Sequence, residues 1–195
     1  MSRYENTKLF ITDKLKKGLR ESLCYHNIHH TFDVLEAAEM IGKSEHITEQ
    51  EMELLKVAVL FHDSGFMVNS ENHEKISCDY VRENLPGFGY NEKEIETISG
   101  MIMATKYPHT PKNKLEEIIC DADLDYLGRD DFFTIGQTLF KELSNHNILS
   151  TEQEWNELQE KFLSSHLYFT KTAKELRNKK KEMHLQQIRE LVKSN

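Results

Sequence analysis

The sequence predicts an all-α fold, a bundle of about seven to nine helices in one domain spanning residues 1–195. Three observations carry that expectation. The chain has only 8 Gly and 3 Pro, and neither type occurs after Gly136, so long stretches lack breakers. Apolar residues recur at helical rather than alternating spacing almost throughout. Helix-start signals precede several of these stripes, and no run of strand length, internal repeat or low-complexity linker interrupts them.

Taken in order, Leu9, Ile11, Leu15 and Leu19 mark the first stripe, and Val34, Leu35, Ala38 and Ile41 the second, which Gly42 closes. Thr48 followed by Glu51 reads as a capping box. The stripe behind it (Leu54, Leu55, Ala58, Val59 and Phe61) is the densest and predicts a central buried helix. The Pro86–Gly87 pair ends the next segment, and Asn91 with Glu94 opens another, in which Met101 and Met103 read as core filler. Pro108, Pro111 and Gly128 punctuate the chain beyond that segment. Ser150 with Gln153 reads as a third capping box, opening a tail of two long helices or one bent one over about 150–195. Within that tail, Arg177–Lys181 (RNKKK) is expected to be a solvated helix face. Tyr168 and Phe169 are expected to pack between helices, although His166 and Tyr168 would line a cleft if the tail folds back.

Composition narrows the function classes. A chain of 195 residues supports one good core but is short for two. Its net charge of -8, with no basic stretch in the first two thirds, argues against general nucleic-acid binding. An anionic substrate stays open, because a metal ion can reverse the field inside a cleft. The charged, amphipathic start MSRYENTKLFITDKLKK lacks the apolar run of a secretory signal, and no window reaches membrane-spanning length. Cys24, Cys78 and Cys120 are odd in number and widely separated. They read as reduced thiols, so a cytoplasmic protein without a membrane partner is expected. Oligomeric state has no signal in the sequence.

The residues that carry chemistry begin with YHNIHHT, 25–31. Three histidines in five positions fit a metal site, a proton relay or a solvated turn. VLFHDSG, 59–65, then ends an apolar helix with His62 beside Asp63, and ICDADLDYLG, 119–128, sets three carboxylates behind another apolar segment. Ionisable groups at the ends of buried helices need partners. One cation would satisfy them together, and imidazole with carboxylate suits Mn, Fe, Co, Ni, Zn or Mg. A hydrogen-bonded His–Asp network at the helix ends is the alternative.

The ordered set HNxxHT, HD and DADL resembles the HD-domain superfamily of metal-dependent phosphohydrolases over about residues 20–130. That resemblance implies an HD-domain-like helical bundle with His30, His62, Asp63 and Asp123 as ligands of a divalent metal ion. YHNIHHTFDV is further similar to the YHNxxHxxDV stretch of cyclic-nucleotide phosphodiesterases. The likeness implies that His30 binds metal while His26 protonates the leaving oxygen; Asp63, at the metal, is the candidate to orient the attacking water. If the segment is helical, the i, i+4 spacing sets His26 and His30 on one face, with His29 a bystander.

His73, in NHEKIS, is the candidate for a second metal. Thr105 and Lys106 stand where a further histidine would fall, Lys106 being a candidate phosphate contact or a solvated lysine, and His109 reads as loop. Asp121 and Asp125 either orient ligands or cap a helix end. His46 and His184 read as surface. The expected activity is hydrolysis of a phosphoester of a nucleotide or small phosphorylated metabolite, a cyclic phosphodiester included. The alternatives are a non-catalytic metal- and nucleotide-binding sensory module and a di-iron oxygenase on the same scaffold, the latter weakened by Thr105.

Overall fold

The computed structural model describes residues 1–194, which form nine α-helices and three short 3₁₀ turns. The helices are α1 (Arg3–Gly18), α2 (Ile28–Ser44), α3 (Glu49–Phe61), α4 (His73–Asn84), α5 (Glu92–Ala104), α6 (Lys114–Asp123), α7 (Phe132–Asn145), α8 (Glu152–Ser165) and α9 (Lys171–Ser194). The 3₁₀ turns span Ser64–Met67, Leu85–Phe88 and Asp125–Gly128.

α3 is the central element. It opens on the expected Thr48–Glu51 capping box, and every residue from Val57 to Phe61 is buried. α1, α2, α5 and α6 pack around it. α2 presents Val34, Leu35, Ala38 and Ile41 to the core as its spacing predicts, and α5 starts on the Asn91–Glu94 box. Leu163, Tyr168, Ala173, Leu185 and Ile188 of the tail join the same apolar cluster as α1 to α6.

Several expectations need correction. In α1 the inward face is Tyr4, Thr7, Ile11 and Leu15, whereas Leu9 is exposed. Thr7 is tolerated inside because its hydroxyl donates to the Arg3 carbonyl. Met101 is buried, but Met103 on the same helix is exposed. The third capping box forms one residue later than expected: Thr151 accepts from the Glu154 N–H, and Glu154 accepts from both the Ser150 and Thr151 N–H groups.

The tail is two helices, and its basic run is not simply a solvated face. Arg177 forks onto Asp125 with Nε–Oδ1 and Nη2–Oδ2 separations of 2.7 and 3.0 Å. Lys181 is buried and donates to the His166 carbonyl. His184 is buried too: its Nδ1 donates to the Leu127 carbonyl while its ring stacks on Phe132. A Cβ at Gly128 would meet the Arg177 backbone at 2.5 Å, so glycine is what lets α9 seat on this 3₁₀ turn. His46 is exposed as expected. The three cysteines are free, and among the described residues no helix is long and apolar enough to cross a membrane.

Candidate metal centre

Four helix ends meet at one side of α3. The first turn of α2 carries His30, fixed by Asn27, whose side chain caps that turn by accepting from the His29 and His30 N–H groups. His62 and Asp63 follow the last residue of α3, Asp123 is the last residue of α6, and His73 is the first of α4. The C-terminal ends of α3 and α6 bring their partial negative charge to this point, which favours a cation.

The side chains of these residues lie close together. His30 Nε2 lies 3.0 Å from Asp123 Oδ1 and 3.5 Å from Asp63 Oδ2. His62 Nε2 lies 3.2 Å from Asp63 Oδ2 and 3.5 Å from Asp123 Oδ1. One donor atom each from His30, His62 and Asp123 falls within 4.8 Å of the others. His62 Nδ1 donates to the Val59 carbonyl at 2.7 Å, which leaves Nε2 as the ring nitrogen aimed inward, free to bind an ion that displaces its proton. That Nε2 and Asp63 Oδ2 are both buried without a hydrogen bond, an expensive state for polar atoms. A divalent ion would satisfy both, and the nitrogen–oxygen donor set suits Mn, Fe, Co, Ni, Zn or Mg.

The electrostatics agree. Burial by itself pushes the Asp63 and Asp123 carboxyls up, but the imidazoles outweigh it and hold both well below the usual carboxylate range. Burial likewise pushes His62 down, and the two carboxylates more than reverse this. Negative charge is therefore resident here at neutral pH, poised against whatever cation approaches.

Asp63 faces two ways. Its second oxygen, Oδ1, lies 3.6 Å from His73 Nε2, whose Nδ1 donates to the Ser70 carbonyl. Glu74, which sequence reasoning missed although NHEKIS contains it, is buried 3.7 Å from the same nitrogen. An added Cβ at Gly65 would lie 2.1 Å from the His73 carbonyl oxygen, so a glycine after the HD pair lets α4 start this close.

His26 sits beside the cluster, but not on a helix. It precedes the Asn27 cap, so the i, i+4 geometry expected for it does not form. Another contact holds it: Glu142 of α7 accepts from the Tyr25 and His26 N–H groups at 2.7 and 3.0 Å and pairs closely with His26 Nδ1. Burial depresses the His26 pKa, and the Glu142 carboxylate, together with Asp63 and Asp123, more than restores it, for a net shift upward. The ring stacks on Phe66 at 4.2 Å, and Phe66 packs at the same separation against His73.

Other expected residues lie apart. Lys106 is exposed, donates to Asn72 and faces a separate groove with Arg82 and Lys112. Asp121 holds the start of the α9 segment, accepting from the Phe169 and Thr170 N–H groups and the Thr170 hydroxyl. Asp125 binds Arg177, so neither carboxylate orients a site histidine. His29 is exposed, and His109 lies in a loop that borders the cavity beside the cluster. Tyr168 packs inside, donating to the Leu124 carbonyl, and His166 is buried behind it rather than lining that cavity.

The family model described as the HD domain matches residues 27–125. Three crystal structures share the fold along nearly the whole chain. The predicted HD superfamily hydrolase of an uncultured Thermotogales bacterium has a TM-score of 0.64 at 19% identity, covering 95% of this chain and 91% of its own. Bacillus subtilis YpgQ, in complex with ADP, gives 0.67 at 18%, covering 98% and 97%. A Lactobacillus plantarum protein gives 0.70 at 15%, covering 99% and 98%. An uncharacterised Clostridium beijerinckii protein is 34% identical over 83 residues, 41% of this chain, and the match spans 52% of that relative.

Proposed function

This chain belongs to the HD domain family, and from that membership we propose that it is a metal-dependent phosphohydrolase acting on a phosphoester of a nucleotide or small phosphorylated metabolite. The observation that carries the reading is the pair of orphaned atoms, His62 Nε2 and Asp63 Oδ2, at the meeting point of His30 and Asp123. His30, His62, Asp63 and Asp123 would hold a divalent ion there. When bound, the ion supplies Lewis acidity toward phosphoryl oxygens and lowers the pKa of water. Asp63 orients the attacking water, whose oxygen forms a new bond to phosphorus as the ester P–O bond breaks. His26, kept protonated and aimed by Glu142, gives its Nε2 proton to the departing oxygen. His73, reached by the second oxygen of Asp63, and Glu74 beside it would serve a weaker second ion.

The finer reading, a cyclic phosphodiester, draws on the YHNIHHTFDV stretch, and the ADP complex of the Bacillus protein supports a nucleotide among the ligands. Metal analysis of the purified protein, followed by turnover on phosphomonoesters and phosphodiesters with Mn, Co, Ni or Mg, tests the proposal. Asp63→Ala should lose metal and activity together. His26→Ala should keep its metal while turnover falls about 10²–10⁴-fold, the usual contribution of a positioned acid. Equal metal loss in both variants would make His26 a ligand. A protein that binds metal and nucleotide but turns over no phosphoester would be the non-catalytic module instead.

A further inference from the structure

The cavity that opens from the metal centre has a volume of about 290 Å³ and two unlike halves. One half is the charged end already described. The other is a wall of Leu127, Phe132, Leu139, Trp155, Phe162 and Leu163, supplied by the last 3₁₀ turn, α7 and α8. These residues all lie beyond residue 125, where the family match ends, so this chain's C-terminal half builds the wall. One amide, that of Gln159, breaks the apolar surface, and Tyr107 and Leu158 stand at its edge. Among the described residues no lysine or arginine lines the cavity, while Asp63, Glu74 and Asp123 all do.

Charge and shape point the same way. Even with His26 protonated and engaged at the leaving oxygen, one tightly held divalent ion beside three carboxylates leaves little positive charge for an incoming anion. Every phosphate beyond the one at the metal would sit against hydrocarbon or face these carboxylates with no lysine or arginine to offset it. Arg82, Lys106 and Lys112 face a different groove. The apolar half instead favours a flat hydrocarbon body: an apolar cavity of roughly 150 Å³ already admits a benzene ring. We infer that this cavity selects esters carrying a single phosphoryl group on a flat apolar body and disfavours di- and triphosphates, so that of the ADP bound by the Bacillus protein only the flat body, not the phosphate chain, carries over to this chain. The inference rests on the phosphohydrolase reading and narrows its substrate class.

Two measurements on the Mn-loaded protein separate the inference from that reading. In the first, turnover of 2-phenylethyl phosphate is compared with that of glycerol phosphate, a primary-alcohol ester without the apolar body, and with pyrophosphate and ATP. The aromatic ester should have a kcat/KM at least about ten-fold above each of the others, the scale a hydrophobic pocket commands. Leu158→Arg, at a partly exposed wall position, should pull the ratio of the two monoesters toward unity. In the second, calorimetry compares 2-phenylethyl phosphonate with methylphosphonate, which needs no turnover. A preference of about ten-fold for the aromatic phosphonate supports the inference even if no ester is hydrolysed, in which case only the phosphohydrolase reading falls. Equal affinity for the two phosphonates, or ATP or pyrophosphate turned over as fast as the aromatic ester, overturns it.

Discussion

Glu142 reaches His26 from 116 positions away and sets both its direction and its charge. Because the Glu142 carboxylate raises the His26 pKa, Glu142→Gln should move the alkaline limb of the pH–rate profile to lower pH, since an acid works only while protonated. Metal content should be unchanged, and His26→Ala combined with Glu142→Gln should cost little more than His26→Ala alone, as expected of residues acting as a unit. Additive losses would mean that Glu142 acts elsewhere. A second residue-scale prediction concerns His166, which burial first and Lys181 second depress from 6.5 to about 3. The folded state then binds fewer protons than the unfolded chain between those values, so this histidine's contribution to stability is present above pH 6.5 and lost as pH falls. His166→Gln should flatten the acid side of the stability curve by at most about 1.4 kcal/mol per pH unit, measured by urea unfolding at pH 7 and 5. Identical slopes in the two proteins would refute it. The site histidines were legible because each lies in a short motif at a helix end. Glu142 was not, since a lone glutamate in FKELSN has no spacing that ties it to residue 26.

At the scale of elements, capping chemistry was read well where one donor and one acceptor compete, as at Thr48 and Asn91. In STEQE, 150–154, two overlapping boxes were available. Gln153 is drawn away to Glu157, which leaves Glu154 to close on Thr151. Thr151→Ala should therefore cost about 1 kcal/mol, the typical worth of an N-cap, and Ser150→Ala distinctly less. Urea unfolding of the two variants decides between the registers. The burial of Lys181 and His184 was hidden for a different reason. Helical periodicity reports which face of α9 is apolar, but both residues are inside because they donate to carbonyls of other segments, His166 and Leu127. Gly65 offers a parallel case, where glycine reports the approach of α4. Gly65→Ala should displace His73 and weaken any second-ion occupancy before it affects the first site. Metal titration would show this as loss of the weaker step alone, whereas loss of both steps would place the first site on the same contact.

The whole molecule brings the ends of α3 and α6 and the starts of α2 and α4 to one point, and that arrangement concentrates carboxylates whose charges must be balanced. Without an ion, His62 provides part of the balance, its pKa pushed upward by the two carboxylates. A bound ion displaces its proton, so folding, metal and pH are linked. At an ion concentration about 100-fold above its Kd, binding only to the folded state adds roughly 2.7 kcal/mol. For a domain of this size that corresponds to about 5–10 °C in Tm, at roughly 2–4 °C per kcal/mol. Calorimetry of Mn-loaded and chelator-treated protein should show that difference near pH 7.5. Asp63→Ala should abolish it, because one of the orphaned atoms is gone, whereas His26→Ala should retain it. The difference should shrink as pH falls, because protons then compete with the ion for His62. A Tm gain that is absent at pH 7.5, or that grows toward acid, would mean that these four helix ends are held by their own His–Asp contacts and not by a metal.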